Sequence, residues 1–170
     1  MCALCETKGS LLLNSLLIYF EDKVNMESLV EILQDRSLVS LRMIDWFVTK
    51  YSRVKTLQYN VDGKPFAVYS NYKSQLKAYS KKQMDPFCRR DRIVLRKHGS
   101  ELTTTIGQMN FFRWAIENRI LKYIYDHYDD LETEMKNENK QKTNLSRKKN
   151  GSNQKRSFSR TNTSMMVTFD

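Results

Sequence analysis

The apolar residues of this chain change their repeat more than once, and any fold must accommodate each change. From Met26 the repeat is helical. Leu29, Val30 and Leu33 recur at three-to-four spacing, and Leu41, Ile44, Phe47, Val48 and Tyr51 form a second stripe with Arg42 and Asp45 opposite. Ser37 stands where a cap for that second helix is expected. At Leu57 the repeat becomes two: Leu57, Tyr59 and Val61 alternate with polar residues up to Asp62-Gly63, and Phe66 and Val68 follow. Asp-Gly between alternating runs signals a hairpin, because both central residues of its tight turn need positive φ. Pro65 assigns the second strand to an edge. Asn71 is the expected N-cap of a helix over 71–83, with Tyr72, Leu76 and Tyr79 on its apolar side and Lys73, Lys77 and Lys81 on another. Asp85-Pro86 is expected to close it. Period two returns at Arg92–Arg96, with Ile93 and Leu95 inward and Arg92 and Arg96 on the opposite face.

The clearest single element is a helix opening at Thr105. Thr105 and Gln108 match a capping box, in which hydroxyl and amide satisfy two orphan backbone donors. Ile106, Met109, Phe112, Ile116, Ile120 and Ile124 then hold helical spacing. The expected architecture is therefore a single α+β domain over 26–135. A small antiparallel sheet, the 57–69 hairpin plus 92–97, packs against helices 26–35, 38–54, 71–83 and 105–128. Beyond Lys136 apolar residues almost vanish, so 136–170 is expected to be a disordered basic tail with an apolar end, Met165 to Asp170.

Residues 1–25 are a different case. The run from Ser10 to Phe20 is about a dozen residues, too short for a spanning helix of roughly 20. It also lacks the basic start and small-residue cleavage site of a signal peptide. It reads as a helix packed on the domain, as an upstream extension before a true start at Met26, or as a membrane-associated segment. A membrane is not among the expected partners.

Charge is segregated along the chain. The net is −3 over residues 1–49, +10 over 50–97, −4 over 98–135 and +8 over 136–164, within a total of +10. Such a balance points to an anionic partner. The concentrated part runs from Tyr72 to Lys97, where Lys73, Lys77, Lys81, Lys82, Arg89, Arg90, Arg92, Arg96 and Lys97 face only Asp85 and Asp91. A helix stripe and a strand face of cations can neutralise several phosphates, with counterion release supplying affinity. Tyr69, Tyr72 and Tyr79 are interleaved and could stack on bases. Arg147, Lys148 and Lys149, then Lys155 and Arg156, give the tail the composition of a nonspecific nucleic-acid arm or an import signal. Lys155 to Arg160 also reads as a basophilic kinase target, where phosphate would reduce the positive charge.

Catalytic patterns are absent: no Gly-rich phosphate loop, no His-Glu-x-x-His, no Gly-x-Ser-x-Gly. Three cysteines, an odd number, fit a reducing compartment better than a disulfide scaffold. A zinc site would need Cys2 and Cys5 to meet Cys88 and His98; Asp85 and Asp91 are read as helix-terminating and ion-pairing groups rather than metal ligands. No cofactor and no catalytic residue is expected. The expected function is non-enzymatic, low-specificity binding of nucleic acid, DNA foremost. Its rival is a structural or adaptor role through protein contacts, with Met165–Asp170 as one docking segment.

Three strings together resemble a known group. They are Met43–Thr49 (MIDWFVT), Tyr72–Lys82 (YKSQLKAYSKK) leading into Asp85–Arg90 (DPFCRR), and Thr104–Trp114 (TTIGQMNFFRW). The chain is similar over residues 38–125 to a small family encoded by nucleocytoplasmic large DNA viruses, the giant viruses. That family carries no established activity, so the resemblance transfers no catalytic role. It implies a viral protein in the reducing interior of an infected cell (the cytoplasm or viral factory, or the nucleus) or in the virion.

Overall fold

The computed structural model of the chain describes residues 8–97 and 99–151. Its first unit ends at Met135 and its second begins at Lys136.

Helix α1, Lys8–Tyr19, is the first element, and it belongs to the core. Leu16 and the following Phe20 are wholly buried. Arg113 of α6 (Ile106–Glu117) donates from Nη1 to Ser15 Oγ at 2.9 Å, fastening α1 to that helix. Burial pushes the Tyr19 phenol up to about 12. Of the three readings open for the N-terminal run, the packed helix is the one observed. No helix among the described residues is long and apolar enough to cross a membrane.

Helix α2, Lys23–Leu33, starts three residues before Met26. The Asp22 carboxylate accepts the Asn25 amide hydrogen at 3.0 Å and caps it. Met26, Leu29, Val30 and Ile32 face the core. Ser40, not Ser37, caps α3 (Leu41–Trp46), accepting from the Met43 amide at 3.2 Å. The Ser37 hydroxyl instead meets the Tyr125 hydroxyl and accepts from the Val39 amide. The rod continues through a π-helical turn, Phe47–Tyr51, into α4, Ser52–Val54. The hydroxyls of Thr49 and Ser52 donate to the carbonyls of Asp45 and Val48, at 2.7 and 2.6 Å, across that widened turn.

The Asp-Gly hairpin forms as the alternation predicts. Strand β1, Gln58–Val61, pairs antiparallel with β2, Lys64–Ala67, and Asp62 and Gly63 have φ of 49° and 80°. Tyr59 lies opposite Phe66, their rings 5.5 Å apart, and Arg119 ion-pairs with Asp62 at the turn.

The second sheet differs from expectation. Strand β3, Arg92–Lys97, does not join the first hairpin; it pairs with β4, Ser100–Thr105, so the strands form two separate hairpins. Leu95 lies opposite Leu102, and the inward face of β4 continues through Thr104, 1% exposed. Threonine suits a pleated surface, so the run preceding the α6 cap is itself a strand. A partner adjacent in sequence was available to β3 at little loop-closure cost.

Helix α5, Val68–Tyr79, begins directly at the end of β2 and stops where Ser80 takes φ 65°. Asn71 is therefore inside it rather than at its cap. Its Oδ1 accepts the Trp114 indole hydrogen at 2.7 Å. Lys81 and Lys82 consequently lie in the turn after α5, not on its lysine stripe. Tyr72 is buried against Phe111 and Trp114 and cannot stack on a base.

Helix α6 is buried on several sides, through Met109, Asn110, Phe111, Phe112, Trp114 and Ala115. The long helix expected over 105–128 breaks after Glu117, where Arg119 adopts φ 56° and the Asn118 carbonyl accepts the Tyr59 hydroxyl at 2.8 Å. Helix α7, Ile120–Asp126, returns Ile120, Leu121 and Ile124 to the core. Helix α8, Tyr128–Gly151, then runs well past Lys136, where disorder was expected. Its Glu, Lys and Gln residues are good helix formers and its interior holds no Pro or Gly, so helix can persist without an apolar face. Residues 152–170, with Lys155, Arg156 and Met165–Asp170, lie outside the described residues.

Phe20→Ala removes a wholly buried ring and should cost about 3–5 kcal/mol, seen as a fall in Tm of about 10 °C or more. A chain begun at Met26 should lose cooperative unfolding in the same calorimetric scan. An unchanged Tm in either variant would show that α1 is not part of the core.

Candidate nucleic-acid interface

The basic stretch is held in place by α6. Thr105 caps that helix as expected, accepting the Gln108 amide hydrogen at 3.2 Å. The second half of the capping box does not form, because the Gln108 side chain is used elsewhere. Its Nε2 donates to the Pro86 carbonyl at 3.0 Å, and its Oε1 accepts the Thr104 hydroxyl. One turn on, Asn110 is 2% exposed and donates from Nδ2 to the Gln83 carbonyl at 2.9 Å. The Thr105 hydroxyl donates to the Cys88 carbonyl at 3.4 Å. Gly107 completes the seat: a Cβ there would lie 2.6 Å from the Lys82 carbonyl oxygen and 3.1 Å from that of Asp85. The segment 80–91 therefore lies across the first turns of α6, tied by its own carbonyls. Its anchor Met84 is wholly buried, while Lys81, Lys82, Arg89 and Arg90 are exposed.

Three concavities open along this segment. Lys73 and Lys81, with Arg53 of α4, line a cleft of about 430 Å³. Lys82 and Arg90 line a second of about 340 Å³, beside Asp91. Arg89 and Arg92 line a third of about 270 Å³, and the last two share Cys88 and Thr105 as walls. Lys73, Lys77, Lys81, Lys82, Arg89, Arg90 and Arg92 are all exposed, and none has an ion pair or side-chain hydrogen bond among the described residues. Some cations elsewhere are engaged. Lys55 pairs with Glu134 at 3.0 Å, and Arg113 spans Ser15, Asn110 and Tyr79.

The remaining expected binding residues do not join the group. Lys77 faces solvent on α5 away from these clefts, and Arg96 Nε donates to Glu101 Oε2 at 2.7 Å across the β3–β4 hairpin. The side chains of Lys97, Arg147, Lys148 and Lys149 lie outside the described residues, as do His98, Cys2 and Cys5. Asp85 Oδ1 accepts the Phe87 amide hydrogen at 2.9 Å, a turn-forming role. The ion pairs expected of Asp85 and Asp91 are not seen among the described residues, and Asp91 serves the chain at φ 53°.

Two contributions escaped the sequence reading. Phe87 sits 47% exposed between Asp85 and Arg89, and supplies the accessible aromatic face that Tyr72 does not. Asp45, read as the polar side of a helix, is half-buried in the first of these clefts together with Asp85, Thr49 and Arg53. Burial, and then the Asp85 carboxylate, push the Asp45 carboxyl above its ordinary 3.8. Burial, then Asp45 and Asp85, raise the Tyr72 phenol to about 12. The Asp45 carboxylate has no hydrogen bond or ion pair among the described residues.

A raised carboxyl pKa means the folded chain holds the proton more tightly than the unfolded one. Stability then falls as pH rises from 3.8 through the folded value, and the cost is fully present at neutral pH. Asp45→Asn should raise Tm at pH 7, with the gain shrinking as the pH is lowered towards 3.8. A lower Tm at pH 7 would show the carboxylate to be stabilising.

Comparison with known proteins gives the chain its place. A model of a family of unknown function (DUF7197) matches residues 5–168, a longer stretch than the 38–125 covered by the resemblance. An uncharacterized protein, L507, of Acanthamoeba polyphaga mimivirus is 37% identical over 137 residues, covering 75% of this chain and 52% of the relative. The chain thus spans about half the length of that relative. No solved structure matches. With a family model matched across most of its length and a giant-virus relative above 30% identity, the chain belongs to DUF7197, a family of unknown function in the giant viruses.

Proposed function

We propose that the chain is a non-enzymatic nucleic-acid-binding protein that contacts the phosphate backbone, DNA foremost, through the segment seated on α6. One observation carries the reading. The cations from Lys73 to Arg92 are exposed and lack carboxylate partners among the described residues, and six of them line three clefts along a segment tied to a buried helix. Because the backbone of the segment is already held, binding has to order only the side chains, and each phosphate neutralised releases counterions. Phe87 adds a stacking surface that tolerates any base. The basic residues of α8 and of 152–170 add sequence-independent attraction. Such a protein belongs where viral nucleic acid is handled, in the infected cell or the virion.

A second reading, a structural or adaptor protein acting through protein contacts, is favoured by α1. Leu11 and Ile18, seven residues apart on one face of it, are more than half exposed. Ile18→Glu should abolish binding of a viral protein partner on that reading and leave oligonucleotide affinity untouched on the first.

The first reading is tested by anisotropy titration of a single-stranded oligonucleotide across salt. Replacing Lys82, Arg89, Arg90 and Arg92 by Ala should weaken binding at least tenfold at low salt. It should also reduce the slope of log K against log salt by about 3, at roughly 0.7 per lost contact. Replacing Arg36, Arg42, Lys64 and Lys122 instead, an equal loss of charge, should leave both nearly unchanged. Equal effects from the two sets would reduce the patch to bulk charge.

A further inference from the structure

The largest of the three clefts along the basic segment has a charge layout that phosphate binding alone does not explain. It opens between the α3–α4 rod, which gives Asp45, Thr49 and Arg53, and α5 with the turn after it, which give Tyr69, Lys73 and Lys81. Asp85 and the buried Met84 and Pro86 close it. Cations and carboxylates share one concavity of about 430 Å³, yet Asp45 pairs with none of the three cations among the described residues. Tyr72 lines the same cleft as the two carboxylates. Asp85 already has one oxygen on the Phe87 amide. The half-buried Asp45 carboxylate lines the cleft with no protein donor among the described residues, and is an acceptor that a ligand's N–H groups can reach. The π-helical turn that carries Thr49 lies on the same wall, a local irregularity frequent at binding sites.

A matching ligand carries N–H donors at one end and an anion at the other. Within a nucleic-acid strand one nucleotide has both, provided its base is unpaired and its Watson–Crick edge is free. An ionised carboxylate accepts best from two adjacent donors, and among the bases guanine presents that pair, N1–H and the exocyclic amine. Cytosine offers its amine alone, and thymine a single N–H between two carbonyls that a carboxylate repels. Tyr69, whose ring lies 5.8 Å from the Arg53 guanidinium, gives the wall an aromatic face, and Arg53, Lys73 and Lys81 stand where the flanking phosphates would lie.

We infer that this cleft is a nucleobase pocket that takes one unpaired guanine nucleotide, its edge on Asp45 and its phosphate on Arg53, Lys73 and Lys81. The inference rests on the nucleic-acid-binding reading and gives an otherwise nonspecific surface a single point of base selection.

The test uses the full chain and two ten-nucleotide DNA strands, all thymidine or thymidine with one central guanine. The guanine strand should bind at least tenfold tighter, and Asp45→Asn should bring the ratio of the two affinities close to one. In the wild-type chain, guanosine monophosphate should displace the guanine strand at lower concentration than thymidine monophosphate, a readout that needs no variant. Equal affinities for the two strands, or a preference that survives Asp45→Asn, overturn the pocket. If both strands bind equally with a normal salt slope, only this inference falls. If neither binds, the nucleic-acid reading falls with it.

Discussion

The seating of segment 80–91 on the first turns of α6 is the constraint on which the surface depends. A stretch with Lys81, Lys82, Arg89 and Arg90 within ten residues repels itself and has little apolar content to hold it. Its order comes from α6 instead. Asn110 and Gln108 donate to the carbonyls of Gln83 and Pro86, Met84 is wholly buried, and Gly107 lets the Lys82 carbonyl come where no side chain would allow it. With these carbonyls and Met84 turned inward, Lys81, Lys82, Arg89 and Arg90 remain exposed. One helix thereby serves two ends. Phe111, Phe112 and Trp114 pack the core against α1, α2 and α5, and the same helix's first turn sets the geometry of the charged surface.

The cleft that holds Asp45 follows from the same arrangement. The turn that leaves α5 at Ser80 brings Lys81, Met84 and Asp85 back over the α3–α4 rod, where Asp45 and Thr49 wait. A carboxylate half-buried beside another carboxylate works against folding, and the rod's π-helical turn departs from the regular ladder at the same place. Local choices that oppose stability cluster where function is expected. Here they coincide with one concavity and with strings that carry the resemblance to the viral family, Met43–Thr49 and Asp85–Arg90.

Much of the fold was legible because its signals are local. Asp62-Gly63 between alternating runs specified the first hairpin, Thr105 specified the start of α6, and the spacing of Leu29, Val30 and the stripe from Leu41 specified α2 and the α3–α4 rod. What was not legible depends on distant partners. Asn71 looked like a cap because nothing nearby discloses that Trp114 needs its oxygen. The break at Asn118–Arg119 answers to Tyr59 and Asp62 on the first hairpin, about sixty positions earlier. Strand β4 was hidden because its inward side is Leu102 and Thr104 rather than an apolar alternation. The candidate site divides the same way. Its cations stood out as a charge run, but Asp45 and Arg53 of the α3–α4 rod and Asp85 of the turn after α5 belong to two separate segments, and only the fold brings them together.

That the cations act as a fixed surface rather than a loose charge run is the central claim, and one substitution separates the two. Gly107→Ala keeps every charge but places a Cβ 2.6 Å from the Lys82 carbonyl oxygen, so the segment must lift. Measured as oligonucleotide affinity alongside amide hydrogen exchange across residues 81–91, the account predicts faster exchange in that segment and affinity weakened severalfold at unchanged net charge. Faster exchange with undiminished affinity would contradict it.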